Sequence, residues 1–185
     1  NSGITAVGYE VLRVNSTGYS QTAMGWRSMY SNTTGYNNLA IGYESLYGNT
    51  TGNENTIVGT SAGRTGTYSA ATMLGYRAGG LSTQAGIFIG HQAGYDNEGA
   101  NCVFIGNSTG LNNTGDDNTG IGFETLAALT GGTTNTAIGK AALKAALLGY
   151  ENTAVGGNSL LSLTNGYRNV AMGNDAARSI NTGTS

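Results

Sequence analysis

The sequence predicts an all-β protein, a parallel β-solenoid of about eleven coils of 15–17 residues, on three observations. A glycine preceded by a large aliphatic residue recurs at Gly8, Gly25, Gly42, Gly59, Gly75, Gly90, Gly106, Gly122, Gly139, Gly156 and Gly173. The spacing is mostly seventeen, with shorter units between Gly59 and Gly122. That is too short for a helical repeat, and no stretch is left over for a second domain. The chain also holds 32 glycines and no proline in 185 residues. Such a balance suits turns that need glycine and backbone N–H groups committed to β ladders. Residues 1–185 thus read as one repeat domain, expected to be a piece of something longer or a processed product, since the chain opens on Asn1.

Each unit begins with a short strand. Its last residue is always large and aliphatic: Val7, Met24, Ile41, Val58, Leu74, Ile89, Ile105, Ile121, Ile138, Val155 and Met172. An unbroken column of this kind reads as the core. Two residues earlier, on the same strand face, stand mostly Thr or branched aliphatics, all good β-formers. One residue earlier again come Asn38, Asn55, Asn118, Asn135, Asn152 and Asn169. One amide at the same corner of successive coils predicts an asparagine ladder, with ordinary turn chemistry as the plainer reading. A second glycine, ten after the first, marks a corner at Gly18, Gly35, Gly52, Gly132, Gly149, Gly166 and Gly183. "KAALKAALLGYEN", from Lys140, has helical composition, but Gly139 and Gly149 keep the repeat phase and favour the stack.

The position four after the repeat glycine adds Leu12, Met29, Leu46, Leu126, Leu143 and Leu160. Two or three large apolar residues per coil make a thin core, and the single cysteine, Cys102, forms no internal staple. Folds in that position turn to oligomerisation. In four middle coils the leucine position becomes Gly63, Gly79, Gly94 and Gly110, while the small residue two before the repeat glycine becomes Ile57, Met73, Phe88 and Phe104. Volume lost in one column reappears in another, as in a packed interior. That second column alternates with the aliphatic one. Phe88 and Phe104, with Gly94 and Gly110, are therefore expected on the opposite face, packed between chains of a parallel bundle.

Chemistry is sparse. Eight basic against ten acidic residues leave a net charge of −2, with no basic stripe for a nucleic-acid backbone and no apolar run long enough to insert in a membrane. "GTSAGRTG", Gly59 to Gly66, lacks the lysine and spacing of a phosphate loop. His91 has no recognisable nucleophile or orienting partner, and Asp116 and Asp117 follow no calcium-loop pattern. No catalytic residue, metal ligand or cofactor is expected. The candidate ligand or interface surface is aromatic: Tyr9, Trp26 and Tyr43 after the repeat glycine, and Tyr19, Tyr36, Tyr150 and Tyr167 after the corner glycine. Such rows either stack on sugar rings or seal contacts along the stack and between chains.

The units "NTAIG" (Asn135 to Gly139), "NTAVG" (Asn152 to Gly156) and "NVAMG" (Asn169 to Gly173) resemble the head repeats of YadA-like trimeric autotransporter adhesins. "LAIGYESLYGNTTGNEN", from Leu39, is similar to repeats of phage tail fibres and related bacterial surface proteins. The resemblance spans essentially the whole chain and implies a left-handed β-roll, three chains side by side, in an extracellular fibre on a cell surface or virion tail. It carries no catalytic residues. The adhesin head unit is nearer fourteen residues, shorter than the units here. The function it implies is non-enzymatic: a homotrimeric adhesive segment for attachment to a cell-surface glycan or protein. The alternatives are an ice-binding solenoid, weakened because its Thr column is interrupted and shares a face with the aliphatic column, and a polysaccharide-processing solenoid.

Overall fold

The computed structural model describes residues 3–184. Fourteen short strands form, and no helix among the described residues: β1 (Ile4–Val7), β2 (Gln21–Met24), β3 (Leu39–Ile41), β4 (Thr56–Val58), β5 (Thr72–Leu74), β6 (Gly86–Ile89), β7 (Cys102–Ile105), β8 (Thr119–Ile121), β9 (Thr136–Ile138), β10 (Leu148–Tyr150), β11 (Thr153–Val155), β12 (Asn165–Tyr167), β13 (Val170–Met172) and β14 (Thr182–Thr184). All pairing is parallel. Eleven strands make one sheet in the order β1 to β9, β11, β13, and β10, β12 and β14 make a second. Registers join equivalent residues, such as Ala23 with Ala40 and Ala154 with Ala171. The result is a β-solenoid, about 50 Å long at ~4.8 Å per coil. The alanine- and leucine-rich stretch after Gly139 keeps to the stack: Leu126 N–H donates to Ala142 O, and Leu143 N–H to Ser159 O.

The interior is the reverse of the one the aliphatic column suggests. The buried strand residue is the one two before the repeat glycine: Ala23, Ala40, Ile57, Met73, Phe88, Phe104, Ala137 and Ala154 are fully buried. The residue next to the glycine faces outward. Val7, Met24, Ile121, Ile138 and Met172 are exposed, and Ile41, Val58, Leu74, Ile89, Ile105 and Val155 are half-buried. The cause is the width of the coil. Opposite the strand, the leucine column points inward, with Met29, Leu46, Leu126, Leu143 and Leu160 buried. One leucine fills the coil so fully that only alanine fits across from it.

The middle coils exchange these roles. A Cβ added to Gly94 would lie 2.6 Å from the Phe88 ring, and one on Gly79 would lie 2.5 Å from Met73 Sδ. Phe88 and Phe104 stack inside the same chain, 5.7 Å between centroids. The expectation that Phe88, Phe104, Gly94 and Gly110 pack between chains is therefore corrected: both columns line one interior, and their compensation is internal to the coil. Tyr68 is also buried there, its hydroxyl donating to Ser82 O at 2.6 Å. Burial pushes its pKa up to about 12.

Corners are held by amides. Asn55 Nδ2 donates to Asn38 Oδ1 at 2.8 Å, and the same contact links Asn135 to Asn118, Asn152 to Asn135, and Asn169 to Asn152. Each ladder amide from Asn38 to Asn152 also donates to the backbone carbonyl at the corner of the following coil, as Asn135 does to Gly149 O at 2.6 Å. A second ladder, seven after the repeat glycine, joins Asn32 to Asn15 and Asn113 to Asn97. No buried side-chain nitrogen or oxygen among the described residues lacks a partner.

The turns demand unusual backbone. Gly42 has φ 134°, and a Cβ there would sit 2.5 Å from Gly59 O on the next coil, so no other residue fits. Beyond glycine, 27 described residues adopt positive φ, mostly at the positions two and four after the repeat glycine and five before it. Left-handed conformation costs an L-residue roughly 1–2 kcal/mol. Here coil-to-coil hydrogen bonds hold it, such as Arg27 N–H to Tyr9 O at 2.9 Å.

Candidate functional site

Two surfaces stand out. The first is the outer face of the eleven-stranded sheet. Since side chains alternate along a strand, turning alanine inward turns two columns outward. One is the unbroken aliphatic column. The other holds Thr5, Thr22, Thr56, Thr72, Thr119, Thr136 and Thr153, with Leu39, Ile87, Val103 and Val170 between them. The columns lie about 7 Å apart and run the length of the rod. Among the described residues no element covers this strip.

The second is the turn face that follows the strand. Trp26 and Tyr43 stack at 4.8 Å, Tyr30 and Tyr47 at 5.1 Å, and Tyr76 and His91 at 5.2 Å. Arginines lie on these rings, Arg27 over Trp26 at 4.1 Å and Arg64 over Tyr47 at 5.6 Å. Ion pairs tie the coils together: Arg27 with Glu10 at 2.5 Å, Arg64 with Glu44 at 2.6 Å, Lys144 with Glu124 at 2.5 Å. Their hydrogen bonds raise the pKa of Arg27 and Arg64. Exposed pairs of this kind are screened by solvent and contribute little to stability. They keep the rings aligned more than they stabilise the fold.

Of the aromatic residues singled out from the sequence, Tyr9, Tyr19, Tyr43, Tyr150 and Tyr167 are exposed, while Trp26 and Tyr36 are half-buried. Tyr19 stacks on Tyr36 at 5.1 Å, on the side that leads into the strand. The two groups therefore flank the outer sheet face. The column five after the repeat glycine, with Tyr30, Tyr47 and Tyr95, escaped the sequence reading; lining up Tyr30 with Tyr47 at the common spacing reveals it. His91 is exposed and serves as a rung of the aromatic column. Cys102 is buried in the asparagine corner, its thiol against Gly115 O at 3.4 Å, and burial pushes its pKa up to about 11. Asp116 accepts from Ala100 N–H and Asp117 from Asn101 Nδ2, so both tie one coil to the next. Among the described residues no group of three or more His, Cys, Asp or Glu side chains is placed to hold a metal.

The geometry defines a parallel β-solenoid with one long apolar sheet face and one aromatic, charged turn face. No family model matches the chain, and neither does any curated protein or solved structure.

Proposed function

We propose that this chain is a non-enzymatic, adhesive segment of a homotrimeric extracellular fibre, in which the outer sheet faces of three parallel copies pack on one another. The observation that carries it is the uncovered aliphatic column. Purely parallel sheets are almost always covered on both faces. A continuous apolar strip about 50 Å long also exceeds what a monomer normally leaves in water. A second copy in parallel offers the same strip at the same coil spacing, so each rung meets its equivalent. The flanking aromatic rows then lie at the rim, where many weak contacts to a cell-surface glycan or protein add through multivalency.

Light scattering across a wide concentration range tests the assembly. The expected result is a stable three-chain mass, and the paired change Ile121→Lys and Ile138→Lys on the outer face should reduce it to one chain that keeps its β signal. A monomer at every concentration would overturn the reading.

An ice-binding solenoid is a second reading, and one observation favours it. The Thr column shares its face with the aliphatic column, but that face points outward, so the objection drawn from a shared core face falls. Regularly spaced Thr on a flat sheet could order water. A monomer with thermal hysteresis would select this reading over the fibre.

A further inference from the structure

The column five after the repeat glycine carries a side chain on every coil but one: it runs Tyr30, Tyr47, Arg64, then Gly80, then Tyr95. The missing side chain opens a groove of about 340 Å³ on the turn face. Tyr43 and Tyr95 supply aromatic walls, and Arg64, Arg77 and Glu44 supply charge. Arg64 is committed to Glu44. Among the described residues Arg77 pairs with no acid. Its guanidinium rests near the rings of Tyr76 and Tyr95, at 5.3 and 5.9 Å, and among the described residues no carboxylate or carbonyl accepts from it. The groove thus combines flat apolar rings, an already paired carboxylate and one positive charge in excess.

From this we infer that the Gly80 groove is a binding subsite for an anionic pyranose, a hexose ring bearing a carboxylate or a sulfate. The C–H face of the sugar ring lies on a tyrosine, as apolar rims do on aromatic faces. The acid group receives the planar donor fork of Arg77. Glu44, held by Arg64, accepts from ring hydroxyls. The volume is at the small end of ligand pockets and suits a single sugar residue. The inference deepens the attachment role proposed above and rests on it only for biological purpose. The groove lies within one chain, off the sheet face.

The test is an NMR titration of the labelled chain with glucuronate, glucose 6-sulfate and glucose, the same ring with a carboxylate, a sulfate or neither. The amides of Arg77, Gly80 and Tyr95 should shift with at least one acid, and glucose should bind about tenfold more weakly for want of the charge-assisted bond. The two acids separate carboxylate from sulfate recognition. Gly80→Leu places the residue that the same column carries at Leu111 and Leu161; its Cβ would lie 3.0 Å from the Tyr95 ring, which yields by a few tenths of an ångström as the side chain fills the groove. It should abolish the shifts, and Arg77→Gln should erase the preference for acid over glucose. Equal binding of glucose, silence at these amides with both acids, or undiminished binding by Gly80→Leu would each overturn the inference. Light scattering of the same samples reads the assembly separately. A trimer without sugar binding removes the subsite and leaves the fibre, and a monomer that binds does the reverse.

Discussion

Exchange of the two core arrangements within one coil is the sharpest available perturbation. Phe88→Ala empties an interior site that is fully buried. Truncations of that size cost about 3–5 kcal/mol. Gly94→Leu drives a Cβ to 2.6 Å from the Phe88 ring at a position with φ 55°. Overpacking and left-handed strain together should cost roughly 2–5 kcal/mol. Combined, the two changes recreate the alanine and leucine of the outer coils, such as Ala40 with Leu46, between the Met73 and Phe104 coils. The remaining cost is the left-handed leucine and the lost stack on Phe104, about 2–3 kcal/mol. The double variant should thus be no worse than either single one, with a coupling of about 3 kcal/mol or more, at the top of the range for residues in contact. Denaturant unfolding of the four proteins measures it. Additivity within ~0.5 kcal/mol would mean the two side chains do not share an interior, and the packing described for the middle coils would be refuted.

Four further outcomes are expected. Ala70 is exposed at φ 58°, so Ala70→Gly should raise stability by roughly 1 kcal/mol, whereas Ala40→Gly in the core should lower it; the denaturation midpoint reports both signs. Asn135→Ala leaves the amide of Asn152 and the carbonyl of Gly149 without their partner, and a loss of about 3 kcal/mol should appear by thermal melting. Tyr68 is neutral when folded and its pKa is raised to about 12. Stability should therefore be level below pH 10 and fall between pH 10 and 12 by about 2–3 kcal/mol, and ultraviolet titration of the Tyr68→Phe variant should lack the step that the parent shows near pH 12. Cys102, buried with its pKa raised to about 11, should stay inert to thiol reagents at pH 8 until the chain unfolds.

The repeat made the architecture legible, because eleven copies fix the glycine corners, the strands and the stacking register together. The asparagine corner was legible for the same reason. Which strand face lies inside was not. Alternation says that Ala40 and Ile41 point apart, but nothing in the strand says which one a coil encloses. The larger residue is the natural interior choice, and it is wrong here because Leu46, contributed by a turn, already occupies the space. The exchange of Ala and Leu for Phe and Gly held the answer, since two positions that trade volume must touch. The groove was illegible for another reason. It is made by an absence, a single glycine in a chain rich in them, and only the neighbours Arg64 and Tyr95 give that absence a shape.

The two ways of filling the interior have a genetic consequence. Tandem repeats lengthen and shorten by unequal exchange, and a coil that repeats in register turns such an event into a rod longer or shorter by ~4.8 Å per unit. Within a run of leucine-filled coils the exchange is silent. Across a boundary it is not, because there the two fillings meet and the side chains on either side must adapt. The boundary after Phe104 carries its own adaptor: at Gly120 an added Cβ would lie 2.8 Å from Thr109 and 3.2 Å from Phe104, so an alanine there would have to push Thr109 aside. Recombination at other points should leave a seam, a weak coil where the rod opens first. The length of the rod can therefore drift freely in the outer segments, while the central block, with its groove, is inherited whole.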